Sequence, residues 1–352
     1  MTEKSKSMRL PSVHIVWEFT DNPWGGGNQF LKALKKQFIQ QDIYRDDPEQ
    51  ADVILFNGHQ FQKRALQLKR KYPSKIFVHR IDGPMSLTRG KAGVPTDRKI
   101  FYCNNWIADG TIFQSEWSQK ESARQGKKNT NRFEACIINA PDPDIFHPPV
   151  QRNASITDSR TQLIATSWSS NPKKGFDIYH FLDLNLDFSR YTMTFVGNTD
   201  APFTNITTIG PQPSIQLAKL LRTHDIFIAA SLVESCSNSF LEALHCGLPA
   251  VARNNSSYPE LLNGNGVLFE GENDIIEQIN HVASHLNKFR AERNTIHIND
   301  ITDRYLSFFN EIIEQAATSR YTPKKLSILT YYYARVLLKN SDNAYHLRIP
   351  VL

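Results

Sequence analysis

Two glutamates, Glu234 and Glu242, lie on either side of a helix start in the segment SLVESCSNSFLEALHCGLPAVA (231–252). The apolar run Asp225–Ala230 before it reads as a strand. A helix is expected to begin near Ser237 or Asn238, both good N-cap residues. Phe240, Leu241 and Leu244 give that helix a core face, Gly247 ends it and Pro249 follows. Glu234 then stands in the loop before the helix and Glu242 about one turn into it. That places the carboxylates on the order of 8–10 Å apart at the same helix end. Such a pair suits a ligand whose phosphates rest on the free N–H groups of the first turn. A carboxylate one turn in can also accept two ribose hydroxyls. The same letters allow a structural reading, because Ser239-Phe240-Leu241-Glu242 fits a capping box in which Glu242 bonds back to the chain.

The segment resembles the donor-site motif of the retaining glycosyltransferases of family 4 (glycosyl transferases group 1). Their pattern is Glu, seven residues, Glu, then a small residue–Cys-Gly-x-Pro run; Glu234, Glu242 and His245-Cys246-Gly247-Leu248-Pro249 match it. The resemblance implies an α/β protein of the GT-B fold, with two Rossmann-like doubly wound domains facing across a cleft. It implies that Glu242 binds the nucleotide ribose and that Glu234 contacts the donor sugar and offsets charge at the reacting centre. Ser237, Asn238 and Ser239, at the helix start, would meet the donor diphosphate.

Other stretches match in the family's order. Gly25-Gly26-Gly27 before a helix looks like the first glycine loop, which meets the donor phosphates and the acceptor; glycines let backbone approach a phosphate or sugar closely. Asn139-Ala140-Pro141-Asp142 through Phe146-His147-Pro148 resembles the run that closes the first domain. Lys173-Lys174-Gly175-Phe176-Asp177 resembles the basic motif after the first strand of the second domain, where Lys174 would neutralise the leaving diphosphate. Many members carry an Arg about five residues earlier. Here Trp168-Ser169-Ser170 stands in its place, so either Lys173 supplies that charge or the donor is held differently. Glu260 matches a recurrent Glu of the next loop, and capping a helix explains it equally well. Cys236 near the cleft is either a reactive thiol or an inert buried one. In the first half, His79, Arg80 and Asp82 follow a strand where the cleft should open. Successive strand residues point oppositely, so not all three face it. By resemblance His79 borders the sugar. Arg89 and Lys91, in the next loop, are candidate acceptor contacts.

The elements that must position these residues read as alternating short strands and helices, the rhythm of βα units around parallel sheets. Strands are expected at Val13–Trp17, Val53–Phe56, Ile76–Val78, Gly110–Phe113 and Ala135–Ile138, with a helix over 28–38. The proline-rich break at Pro141–Pro149 and the polar stretch to Arg160 read as a linker. Strands resume at Leu163–Ala165, Met193–Val196, Ile226–Ala229, Ala250–Val251 and Val267–Phe269. The expected division is 1–150 for an acceptor-side domain, 151–300 for a donor-binding domain and 301–352 for C-terminal helices, the first crossing back to the N-terminal domain. Tyr305, Phe308, Phe309, Ile312 and Ile313 recur at helical spacing. Ile328, Tyr331, Tyr332, Val336 and Leu337 suggest an amphipathic helix for self-association or a membrane face.

A chain of 352 residues with 40% hydrophobic and 22% charged residues is neither disordered nor a disulfide scaffold. Its longest apolar stretch, Leu326–Leu338, contains Arg335 and falls short of the roughly 20 residues needed to span a bilayer. Four widely spaced cysteines suggest a reducing, cytoplasmic setting. Residues 1–150 hold 23 Lys and Arg against 16 Asp and Glu, and the remainder 18 against 19, so the whole positive excess lies in the first half. Lys63, Arg64, Lys69, Arg70, Lys71 and Lys75 form its densest cluster. Such a face could meet anionic lipid at the membrane periphery, a phosphorylated acceptor or nucleic acid, or be only a solvated helix surface; no nucleic-acid signature accompanies it. No cofactor or metal is expected, because a helix N-terminus, Lys174 and the glycine loop would stabilise a leaving diphosphate. The expected partners are a nucleotide-sugar donor and a glycan or lipid-linked acceptor. The expected activity is therefore retaining glycosyl transfer. The alternatives are a binding protein on the same fold without turnover, and another nucleotide enzyme such as a sugar epimerase.

Overall fold

The computed structural model describes residues 9–20, 26–126, 129–150 and 159–338. The first half carries β1 (Val13–Val16), α1 (Gly26–Gln40), β2 (Val53–Asn57), α2 (Gln62–Lys71), β3 (Ile76–Ile81), α3 (Met85–Arg89), α4 (Val94–Ile107), β4 (Gly110–Phe113), α5 (Glu116–Arg124) and β5 (Phe133–Cys136). All five strands are parallel, in the order β1-β2-β3-β4-β5. Tyr44 forms an isolated parallel bridge to Val13 on the other side of β1. The chain therefore leaves β1 in one direction through α1 and then steps the opposite way through α2 and α4. Right-handed crossovers put the two groups of helices on opposite faces of the sheet.

The second half carries β6 (Thr161–Ser167), α6 (Phe176–Asn185), β7 (Tyr191–Gly197), β8 (Thr207–Ile209), α7 (Ser214–Thr223), β9 (Ile226–Ala229), α8 (Asn238–His245), β10 (Ala250–Arg253), α9 (Tyr258–Leu262), β11 (Gly266–Phe269), α10 (Ile275–Ser284) and α11 (Leu286–Ala291). Its parallel sheet runs β11-β10-β9-β6-β7-β8. This is the doubly wound order, with the direction of winding reversing between β6 and β9. Crevices in such sheets open at the carboxyl ends of the strands at that reversal.

The last helices return to the first sheet. Ile298, Ile301, Tyr305, Phe308, Phe309 and Ile312 of α12 (Ile298–Ala317) are buried in one core with Phe30, Leu34 and Phe38 of α1. Gly110 lets α12 close on the sheet: a Cβ there would lie 2.6 Å from Ile312 Cδ1. On the other face, α13 (Ile328–Leu337) packs with α2 and α4. Tyr321 and the Lys324 backbone pin the intervening segment to Asp109, each donating to Oδ1 at 2.7 Å.

Three local expectations change. The last strand of the first sheet lies at Phe133–Cys136 rather than 135–138, with Phe133 buried. β8 was invisible because its residues, Thr207-Thr208-Ile209, are mostly exposed on a sheet edge. Lys69 does not belong to the solvated basic cluster: it is fully buried, 3.0 Å from Asp109, and burial pulls its pKa down.

Candidate functional site

The carboxyl ends of β6, β7 and β9 surround a cavity of about 210 Å³. Thr166, Ser167 and Trp168 come from the end of β6, and Val196 and Gly197 from the end of β7. Lys174 and Glu234 come from the following loops, and Ser237, Asn238, Ser239 and Glu242 from the start of α8. Gln29, in the first turn of α1, closes the cavity from the other half of the chain.

Each side chain is held there for a local reason. Gly175 adopts φ +86°, and any Cβ would lie 2.2 Å from the Ala230 carbonyl oxygen. Only glycine lets this turn sit against the end of β9. The turn is tied to the next loop by Leu232 N–H donating to the Lys173 carbonyl at 2.8 Å. Lys174 Nζ is thereby brought 2.6 Å from Glu234 Oε1. The neighbouring Lys173 turns away and donates instead to the Leu87 carbonyl of the first half. It does not line the cavity, which corrects its expected place on the diphosphate. Asn171 makes a parallel contact, its side-chain amide donating to Thr88 O at 3.2 Å.

Ser237 is the N-cap of α8, its hydroxyl accepting from Phe240 N–H at 3.4 Å. Ser239 lies within the first turn, so the Ser239–Glu242 capping box does not form. The Glu242 carboxylate receives no hydrogen bond among the described residues. It is nevertheless 93% buried, and burial pushes its pKa up to about 7. A carboxylate held out of water without donors is costly unless something supplies them. Cys236, also in the wall, accepts from Asn139 N–H at 3.4 Å, and burial pushes its thiol up to about 12. It is the inert form of the two expected.

The first half contributes differently. His79 is fully buried, its Nε2 2.9 Å from the Gly58 carbonyl oxygen and its Nδ1 3.1 Å from the Asn104 side-chain oxygen. Its ring stacks on Phe56 at 4.1 Å, and burial lowers its pKa to about 4. It is a packing residue of β3 and not a cleft residue, because α4 and β2 cover its side of the strand. Arg80 is buried as well, bonded to the side-chain oxygens of Asn57 and Asn139. Asn139 in turn donates to Asn238 Oδ1 at 2.9 Å, which links β3 to the start of α8. α1 begins at Gly26, and Gly27 in its first turn is not in the cavity wall; Gly25 lies outside the described residues. Arg89 and Lys91 are exposed beside the loop that receives Lys173. Glu260 caps α5 across the divide, accepting from Glu116 N–H at 2.9 Å and Trp117 N–H at 3.0 Å.

The β7–α10 portion, residues 191–285, matches the family model described as glycosyl transferases group 1. This portion is a glycosyl transferases group 1 domain. It holds Glu234, Ser237 and Glu242, while Lys174 lies upstream of it. Over most of its length the chain shares its fold with GT-B structures. Sucrose-phosphate synthase from Thermosynechococcus elongatus superposes with a TM-score of 0.63 at 12% identity, over 89% of this chain and 98% of that one. HepE from Anabaena, in complex with UDP-glucose, gives 0.62 at 15% identity, over 88% and 100%. Trehalose 6-phosphate synthase from Burkholderia multivorans gives 0.54 at 12%, over 83% of each chain. No curated protein sequence matches the chain.

Four further cavity residues, Thr166, Ser167, Val196 and Gly197, carry no motif; what places them is that they end β6 and β7 beside the reversal of the sheet. The usable signal was Val196-Gly197 at the end of an apolar run. Among the described residues no group of His, Cys, Asp or Glu could hold a metal ion. The one Asp-x-Asp spacing, Asp142-Pro143-Asp144, is occupied by Lys36, whose Nζ lies 2.8 Å and 2.5 Å from the two carboxylates. Also among the described residues, no helix is long and apolar enough to cross a membrane.

Proposed function

We propose that the protein is a retaining glycosyltransferase that moves a sugar from a nucleoside diphosphate to a glycan, lipid-linked or small-molecule acceptor. Residues 151–300 hold the donor and residues 1–150 face the acceptor. The observation that carries this reading is the Glu242 carboxylate, buried and without donors in the wall of a cavity that also holds a helix N-terminus and a lysine. Two vicinal ribose hydroxyls are the donors it lacks. The diphosphate then lies toward Ser237–Ser239, where free N–H groups and the helix dipole favour negative charge. Lys174 stands beside it, already paired with Glu234.

In the transfer, the acceptor hydroxyl oxygen bonds to the anomeric carbon as the bond from that carbon to the phosphate oxygen breaks. The bonding pair leaves with the diphosphate, and the hydroxyl proton passes to the departing phosphate oxygen. Charge gathers on the diphosphate, so groups aimed at it stabilise the transition state more than the ground state. Lys174 and the start of α8 have that placement. Glu234 balances the oxocarbenium-like sugar and holds Lys174 in position. Retention follows the family resemblance, with attack on the face from which the diphosphate leaves. No group here requires a metal for this chemistry.

The test is thermal unfolding with UDP, GDP, ADP, TDP and CMP, followed by a screen of sugar derivatives of the nucleotide that binds. A ligand at a hundred times its dissociation constant adds about 2.7 kcal/mol of stability. One nucleotide should raise the melting temperature of the wild type and not that of Glu242→Ala. A shift with none of them, or one that Glu242→Ala retains, overturns the reading.

A further inference from the structure

The layer formed by α2, α4 and α13 differs from the rest of the surface. Leu329 and Val336 of α13 are 84% and 77% exposed, and Ile328, Tyr332 and Tyr333 beside them are more than half exposed. The opposite side of the same helix is anchored, with Ala334 and Leu338 buried in the first core. The helix thus lies flat on the domain and turns an apolar, aromatic side outward. Aromatic contacts continue the patch onto α4: Tyr333 meets Trp106 edge-on at 5.8 Å, and Trp106 stacks on exposed Tyr102 at 5.5 Å.

The three helices that carry this patch bear exposed charge of one sign. Arg64, Arg70 and Lys71 are exposed on α2, Arg98 on α4 and Arg335 on α13, with Arg64 paired to Glu18 after β1 at 3.9 Å. The three helices carry a single acidic residue, Asp97, which is buried and accepts from Met85 N–H and Ser86. The opposite layer is balanced instead: α12 carries Asp300, Asp303, Glu311 and Glu314 with Arg304, and α1 carries Lys32, Lys35 and Lys36. A basic rim around Leu, Val and Tyr on an anchored helix is the composition that settles at the headgroup level of an anionic bilayer.

We propose that the α2–α4–α13 layer docks the protein on an anionic lipid surface, with the outer side of α13 inserted at the headgroup–acyl boundary. The rim supplies long-range attraction and the apolar residues supply the salt-resistant part. This inference does not rest on the glycosyltransferase reading, because none of these residues lines the cavity.

The test is co-sedimentation of the full chain with phosphatidylcholine vesicles, with and without phosphatidylglycerol. Binding should require phosphatidylglycerol and weaken as salt is raised. Arg64→Ser, Arg70→Ser and Lys71→Ser together should weaken it by about fivefold per charge removed, roughly a hundredfold in all. Leu329→Ser with Val336→Ser should weaken it at every salt concentration. Both variants change exposed side chains, and unchanged melting temperatures confirm that they fold. Equal binding to both vesicle types, or none to either, overturns the proposal. So does a concentration-dependent dimer that the Leu329→Ser, Val336→Ser variant dissolves, because the patch would then belong to a second copy.

Discussion

His79 on β3 and Glu242 on α8 are both buried titratable groups that end up in opposite situations. Each nitrogen of His79 has an oxygen within 3.1 Å and its ring is stacked on Phe56. Glu242 is buried to a similar degree, has no donor, and faces a cavity. A neutral imidazole has one N–H to donate, so His79 serves one of those oxygens and otherwise packs in the core. Burial away from any cavity makes a structural residue, whereas burial with unpaired carboxylate oxygens and room in front of them makes a binding residue. Arg80, bonded to Asn57 and Asn139, and Lys69, bonded to Asp109, are like His79 in lying away from the cavity wall. The second half leaves Glu242 and the first turn of α8 open to the cavity.

The largest effect expected from breaking this comparison is at His79. His79→Ala leaves a void against Phe56 in the first core, while the Gly58 carbonyl keeps Gln62 and Asn104 keeps Thr111, and should cost about 3 kcal/mol of unfolding free energy. Denaturant titration measures this. Nucleotide affinity of the folded protein should stay within about twofold of wild type by the affinity scale used above. A stable His79→Ala protein with lost turnover would move His79 back to the cleft.

Glu242→Gln should have a smaller effect, of opposite sign and dependent on pH. Glu242 has its folded pKa raised from 4.5 to about 7, so the folded state binds the extra proton between those values. Its contribution to stability is present below the lower value and is lost as pH rises through the upper one. His79, lowered from 6.5 to about 4, does the reverse: stability is present above 6.5 and is lost as pH falls toward 4. The two slopes oppose each other in the wild type over the shared range. Removing the carboxyl separates them. Glu242→Gln should be more stable than wild type by on the order of 2 kcal/mol at about pH 8 and no different at about pH 4. A pH-independent difference would mean that Glu242 is not held neutral by burial.

Legibility in the sequence followed the range of the interactions involved. α8 was readable because its determinants are local: Ser237 caps it, Phe240, Leu241 and Leu244 pack it, and Gly247 at φ +87° ends it. The two sheets were readable from brief apolar runs, and the crossing of α12 from its helical spacing of aromatics. What failed was long-range. Strand alternation shows that His79 and Arg80 point to opposite sides, but not that Asn104, 25 residues on, waits on one of them. Lys173 and Lys174 are identical in type and adjacent, and only the Gly175 turn against Ala230 decides which one meets Glu234. Lys69 looked like part of a surface cluster because Asp109, its partner, lies 40 residues away.

The most direct measurement is calorimetric titration of the nucleotide that stabilises the protein, near pH 7 and in buffers of differing ionisation enthalpy. Ribose hydroxyls donating to Glu242 lower its pKa from about 7, so binding to the wild type should release a fraction of a proton into the buffer. Glu242→Gln should bind more weakly and release none. Proton release and affinity that are the same in both proteins would contradict the assignment of Glu242 to the ribose, and with it the proposed donor site.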